Sequence, residues 1–303
     1  MHKITFTCET ITPMFLAGAD GSTPELRAPS IKGALRFWWR ALNGHLSLGE
    51  LKEREGEIFG STERRSRVII RVLQPLDYKK LEAAILPHKR TKREQSWTPC
   101  FEEGQSFKIQ FSLPKNYLSE IKNLFILTTI LGGFGKRSRR GFGSVKITAI
   151  NEELFNIKQE LESVAKYLKK DNFFIDKETH SIKSKNQKNN NYPYIKTIEI
   201  GKKSENYLPK DIIEASHQVK KKEYERAEKE ADKRKKKEKP NIKKYSCFES
   251  SIGDGANRLA SPIYISCLTN EVPIITTLNH VPSRGKSETR HIELQTQLKI
   301  KLI

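Results

Sequence analysis

Gly132-Gly-Phe-Gly-Lys-Arg-Ser-Arg-Arg-Gly-Phe-Gly143 decides the fold through what flanks it. Before it, Leu118 to Leu131 is apolar at helical spacing; after it, Ser144 to Ile150 alternates as a strand does. Nucleotide-binding glycine loops run the other way, out of a strand and into a helix. That context argues against an ATP site and excludes a dinucleotide fold. A turn needs one or two glycines. Here Gly133-x-Gly135 and Gly141-x-Gly143 bracket Lys136, Arg137, Arg139 and Arg140. Glycines let a backbone approach a ligand and expose its amides as an anion nest, here beneath four cations. The pattern predicts a loop that holds a nucleic-acid backbone.

Working outward, His2 to Glu9 alternates apolar and polar, a half-buried strand. A loop with Pro13, Gly18, Gly21 and Pro24 follows. Ser30, after Pro29, is placed to cap a helix running to about Leu42 and ended by Asn43-Gly44. Val68 to Leu73 and Ser106 to Leu113 read as the second and third strands. The order over residues 1–150 is βαββαβ, the ferredoxin-like (RRM-like) unit: a four-stranded antiparallel sheet with two helices on one face. The other face is free, and such sheets often bind RNA there. The expected fold class is α+β.

Residues 151–303 are less regular. Residues 152–169 fit an amphipathic helix. Residues 180–206 are rich in Asn, Lys and Ser and read as loop or disorder. Asp211 with Glu214 resembles a capping box for a helix towards Pro240, and Lys220 to Lys239 carries almost no apolar stripe. Leu259 to Leu268 and Val272 to Leu278 read as two strands joined near Thr269-Asn270. A second, degenerate ferredoxin-like domain with a charged helical insertion over about 180–245 fits this pattern.

The 303 residues carry 56 Lys+Arg against 36 Asp+Glu, a formal charge of +20. That excess repels itself unless a polyanion neutralises it, nucleic acid first and an anionic membrane second. No apolar run of about 18 residues is present, and Met1-His2-Lys3-Ile4-Thr5-Phe6 lacks a signal-peptide core. A cytoplasmic location is expected. Cys8, Cys100, Cys247 and Cys267 form no C-x-x-C pair and read as reduced, mostly buried thiols, so neither metal nor cofactor is expected.

A second basic motif is Ser30-Ile-Lys-Gly-Ala-Leu-Arg-Phe-Trp-Trp-Arg-Ala-Leu42. Ile31, Leu35, Trp38 and Leu42 share the core face. Lys32, Arg36 and Arg40 recur at i, i+4 and i+8 on another side, with Trp39 between the two faces. Arginines bind phosphates in bidentate fashion and Trp stacks on bases. A third candidate is Arg258 with Ser261, beside a strand start. Phe59 in Ile58-Phe-Gly-Ser61 reads as a packing residue ahead of a turn. Metal-free RNA cleavage needs a base for the 2′-hydroxyl and an acid for the leaving oxygen. His45 is the histidine best placed, and no partner for it is defined. Asp20 and Glu25 are too loose a pair for two-metal chemistry.

The glycine loop between helix and strand resembles the signature of the RAMP superfamily, the RNA-binding proteins of CRISPR systems. More narrowly, Thr12-Pro-Met-Phe-Leu-Ala-Gly-Ala-Asp20 and Glu25-Leu-Arg-Ala-Pro-Ser-Ile-Lys-Gly-Ala-Leu-Arg-Phe-Trp-Trp-Arg40 resemble the first-subunit family of the type III-B Cmr effector complex. Ile58-Phe-Gly-Ser61 and Arg258-Leu-Ala-Ser-Pro262 sit where that family has similar segments. The resemblance implies two ferredoxin-like domains and no chemistry of the subunit's own. It also implies crRNA near its 3′ region, target RNA and other Cmr subunits as partners. Two alternatives stand beside it: a metal-independent CRISPR RNA-processing endoribonuclease, and a general RNA-associated scaffold.

Overall fold

The computed structural model describes residues 1–76, 82–84, 97–156, 158, 162, 167–168, 173–185, 192–215, 217–218, 221, 225 and 262–279. In chain order the elements are β1 (His2–Thr10), α1 (Ala28–Leu42), α2 (Leu48–Phe59), β2 (Ile69–Gln74), β3 (Glu82–Ala84), β4 (Trp97–Pro99), β5 (Ser106–Leu113), α3 (Leu118–Leu131), β6 (Val145–Ile150) and β7 (Glu153–Leu154). Then follow β8 (Phe173–Asp176), β9 (Ser181–Ser184), β10 (Ile195–Ile200), β11 (Ile263–Cys267) and β12 (Pro273–Leu278). It is an α+β chain with two five-stranded sheets and a small β3–β4 pair.

The first sheet runs β2-β5-β1-β6-β7 with every neighbour antiparallel. Alternation in β1 and β5 sets its faces. Ile4, Phe6 and Cys8 pair with Phe111, Ile109 and Phe107, and all six are buried. Thr5, Thr7, Lys108 and Gln110, between them, are half-exposed on the opposite face. The expected strands appear within a residue or so of the expected limits, because period-2 alternation over one buried face sets strand and register together.

α1 begins at Ala28, with Pro29 in its first turn and extended Arg27 as the cap residue. Ser30 therefore lies inside the helix and is not its cap; Pro favours the first turn because its missing N–H has no helical acceptor there. The helix ends at Asn43, as expected. α2 is additional to the expected order. Its start was legible in Ser47-Leu-Gly-Glu50, a complete capping box.

α3 explains the second sheet. From Leu124 to Leu131 every residue is buried. A helix apolar all round cannot rest on a surface. One side packs on β1 and β6, and the other on β11 and β12. The second sheet, β11-β12-β10-β9-β8, is antiparallel throughout and shares the main core with the first.

Several expectations for the second half are corrected. β9 and β10 lie within 180–206, read above as loop or disorder, because Ile182, Ile195 and Ile198 supply an apolar face beneath the polar composition. Residues 153–154 form a strand against β6, not the start of a helix. Residues 208–215 are helical, so Asp211 lies within the helix rather than at its cap; Leu208 and Ile212 anchor it to β11. β11 and β12 match the two strands expected there. Cys8, Cys100 and Cys267 are buried, and burial pushes the Cys267 thiol up to about 12, while Cys247 lies outside the described residues. Among the described residues, no helix is long and apolar enough to cross a membrane, and no cluster of His, Cys, Asp or Glu could hold a metal.

Candidate nucleic-acid interface

On α1 the core face is as expected: Ile31, Leu35, Trp38 and Leu42 are buried. Trp39, expected between the two faces as a candidate for base stacking, is buried too, at 3% exposure. The cause is α2, which brings Phe59 edge-on to the indole at 6.5 Å. Glu120 Oε1 accepts the Trp39 Nε1–H at 2.8 Å. Trp39 is a packing residue here, not a stacking platform.

The cations of α1 stay near the surface under a constraint that the sequence reading missed. Glu55 of α2, with 8% side-chain exposure, accepts Arg36 Nε–H at 2.6 Å and also pairs with Arg40 Nη1. Both arginines remain more than a third exposed, at 39% and 37%. A buried carboxylate thus fixes two guanidinium groups at the rim. Lys32 is half-buried one turn before Arg36, and burial, then the Arg36 charge, holds its pKa below the ordinary lysine value. Three cations against one carboxylate leave this face positive. The signal for Glu55 was a lone carboxylate among Leu51, Ile58 and Phe59 on an otherwise apolar stripe.

The glycine loop is not an open anion nest. Phe134 N–H donates to Gly143 O, Lys136 N–H to Phe15 O, Gly141 N–H to Ile265 O and Gly143 N–H to Pro13 O, all within 3.0 Å. Gly133 and Gly135 sit half-buried against these neighbours. At Gly141 (φ +82°) a Cβ would meet Ile212 Cδ1 at 2.8 Å, and at Gly143 (φ +67°) it would strike Phe134 O. The glycines bring the loop against its own backbone and against β11. Phe134 and Phe142 point inward.

The four loop cations divide. Arg140 is 6% exposed, and its guanidinium donates to Arg139 O at 2.9 Å and Ile263 O at 3.3 Å. It is a structural residue, corrected from an RNA contact. Arg139 stacks 4.7 Å above the Tyr264 ring, and Tyr264 in turn meets Phe37 and Trp38 at 5.2 and 5.1 Å. Burial pushes the Tyr264 phenol above its ordinary value. Arg137 takes the left-handed conformation at φ 62° and is half-exposed. Lys136 is exposed, with no ion pair among the described residues. Tyr264, missed in the sequence, is the hub where α1, the loop and β11 meet. Arg36 and Arg40 stand about 160° around α1 from Trp38, at 100° per residue. The helix stripe and the loop therefore face different ways. Arg258 and Ser261 lie outside the described residues.

The RAMP superfamily is matched over residues 7–146, the span that holds the helix–loop–strand segment. Two proteins of Pyrococcus furiosus are relatives. The CRISPR system Cmr subunit Cmr1-2 is 32% identical over 186 residues, covering 51% of this chain and 100% of that protein. Subunit Cmr1-1 is 34% identical over 164 residues, covering 49% of this chain and 48% of that protein. The crystal structure of apo Cmr1 from the same organism superposes with a TM-score of 0.60 at 20% identity, covering 100% of this chain and 97% of that one. A subunit of the type III-B Cmr-beta complex bound to cognate target RNA, seen by cryo-electron microscopy, gives 0.55 at 11% identity and 99% coverage of both chains. The chain belongs to the family of the CRISPR system Cmr1 subunits, with its residues 7–146 matching the RAMP superfamily.

Proposed function

We propose that the chain is a non-catalytic RNA-binding subunit of a type III-B CRISPR Cmr ribonucleoprotein, contacting the crRNA 3′ region, its paired target RNA or both. The observation that carries this reading is the Arg36–Glu55–Arg40 clamp. Two half-exposed guanidinium groups are held in fixed positions by one buried carboxylate beside Lys32. A pre-positioned guanidinium loses little freedom on meeting a phosphate. Exposed Lys136 and half-exposed Arg137 add a second positive rim. The relatives' place in Cmr systems and a fold neighbour's target-RNA complex support the same reading.

The β1-α1-β2-β5-α3-β6 order supports a ferredoxin-like unit over 1–150, and the β8–β12 sheet a degenerate second one. The contacts expected are to backbone and shape rather than to base edges, because paired RNA hides its major groove. Purifying the native complex and sequencing its RNA tests the reading. Guide RNA crosslinked to this subunit is expected; a complex without RNA on this subunit overturns it. Repeat RNA cut by the pure protein in EDTA, with loss of the product in His45→Ala, would establish the endoribonuclease instead.

A further inference from the structure

The outer face of the second sheet carries a basic, aromatic groove that neither basic motif includes. Cross-strand register aligns Phe174, Lys183, Thr197, Thr277 and Ile263 in one row, side chains on one face. At the Ile263 end the row is closed: Ile263 is fully buried, clustered with Leu208 and Ile212 of the helical segment 208–215. At the other end it is open. Phe174 is 43% exposed on the edge strand, and a groove of about 620 Å³ runs from it past Lys183 to Lys196. That volume lies within the range of small-ligand pockets, about 300–1,000 Å³.

Three features make this a shaped site rather than a random surface. First, Lys196 is the extra residue of a β-bulge: Ile195 pairs with Leu278 and Thr197 with the adjacent Thr277. A bulge re-aims a side chain, and Lys196 and Thr197 both line the groove although strict alternation would send them to opposite faces. Second, the wall formed by Tyr194 is rigid. Tyr194 is 1% exposed, its backbone N–H donates to Asn279 Oδ1 at 2.6 Å, and Gly44 packs so closely that a Cβ there would lie 2.6 Å from Tyr194 Cβ. Third, the charge is net positive. Lys183 is paired with Asp176 and the Glu199 carboxylate accepts the Thr197 hydroxyl at 3.1 Å, while Lys185 and Lys196 are exposed and have no ion pair among the described residues.

We propose that this groove holds one unstacked nucleotide of a single RNA strand, with Phe174 stacking on the base and Lys185 and Lys196 neutralising the flanking phosphates. Every base has a π face, so such a platform accepts any sequence. A duplex keeps its bases stacked and cannot offer one to Phe174. The site rests on the RNA-binding reading above and extends it to a surface remote from the glycine loop's motif.

The test uses the full chain, an eight-residue oligouridine and a blunt RNA duplex, with binding followed by fluorescence anisotropy across a salt series. Phe174→Ala is expected to weaken oligouridine binding by about 5- to 150-fold without altering the salt slope. Phe174→Tyr keeps the affinity. The double variant Lys185→Ala/Lys196→Ala lowers the slope by about 1.4, from two contacts at ~0.7 each. Duplex binding is untouched by Phe174→Ala. If Lys32→Ala/Lys136→Ala weakens oligouridine binding while the groove variants leave it unchanged, the groove is overturned and the proposed function stands. If the parent binds neither RNA, both fall. Equal loss for oligouridine and duplex in Phe174→Ala overturns the stacking role.

Discussion

Two cations four residues apart in the glycine loop should respond in opposite ways to removal. Arg140 is 6% exposed and donates to Arg139 O and Ile263 O, so it ties the loop to β11. Hydrogen bonds from a charged group contribute about 1.5–3 kcal/mol, and a carbonyl stripped of its donor costs about 1–3 kcal/mol. The Ile263 bond is long at 3.3 Å and falls at the low end. Arg140→Ala should therefore lower the unfolding free energy by about 2–4 kcal/mol. The Lys136 side chain is exposed and makes no ion pair among the described residues; only its backbone N–H ties the loop, to Phe15 O. Lys136→Ala should leave stability within about 0.5 kcal/mol of the parent. It should instead lower the slope of log affinity against log salt by ~0.7–0.9, one phosphate contact. Urea denaturation gives the first quantity and anisotropy with a guide-like RNA across a salt series gives the second. If Arg140→Ala proved as stable as the parent and lost RNA affinity just as Lys136→Ala does, the division of the loop into anchor and rim would be wrong.

Three further outcomes follow from the same geometry. Trp39→Ala should destabilise by about 3–5 kcal/mol, whereas Trp39→Phe, which keeps the packing and loses the bond to Glu120, should leave RNA affinity unchanged; a drop in affinity for that variant would restore base stacking. Glu55→Gln releases Arg36 and Arg40 from the carboxylate that positions them, so RNA affinity should fall while the salt slope, set by the number of phosphate contacts, stays unchanged. Its stability loss should be smaller than the about 3–5 kcal/mol of a fully buried broken pair, since both arginines reach solvent. Asp176, held by Lys183 and the β8–β9 turn, has a folded pKa below the usual carboxylate range. Its contribution is fully present above the unfolded value near about 4 and is lost as pH falls through the lower folded value; Asp176→Asn should flatten the acid limb of the stability curve, read by denaturation from pH 2 to 7.

What the chain order alone determined was the four strands β1, β2, β5 and β6 of the first sheet and the helices α1 and α3. The alternation in His2–Thr10 and Ser106–Leu113 and the apolar run Leu118–Leu131 specify local geometry and a buried face, which need no knowledge of distant residues. The capping box at Ser47 was equally legible. β9 and β10 were hidden by polar composition, because their apolar residues are few and gain meaning only against β12. The direction each cation or aromatic faces was settled only by tertiary structure. Trp39, Arg139 and Arg140 look alike in sequence to exposed RNA contacts, yet Phe59, Tyr264 and Ile263 close over or receive them. Exposure is a property of what packs from far along the chain, and for Arg139 and Arg140 that means residues more than 120 positions away.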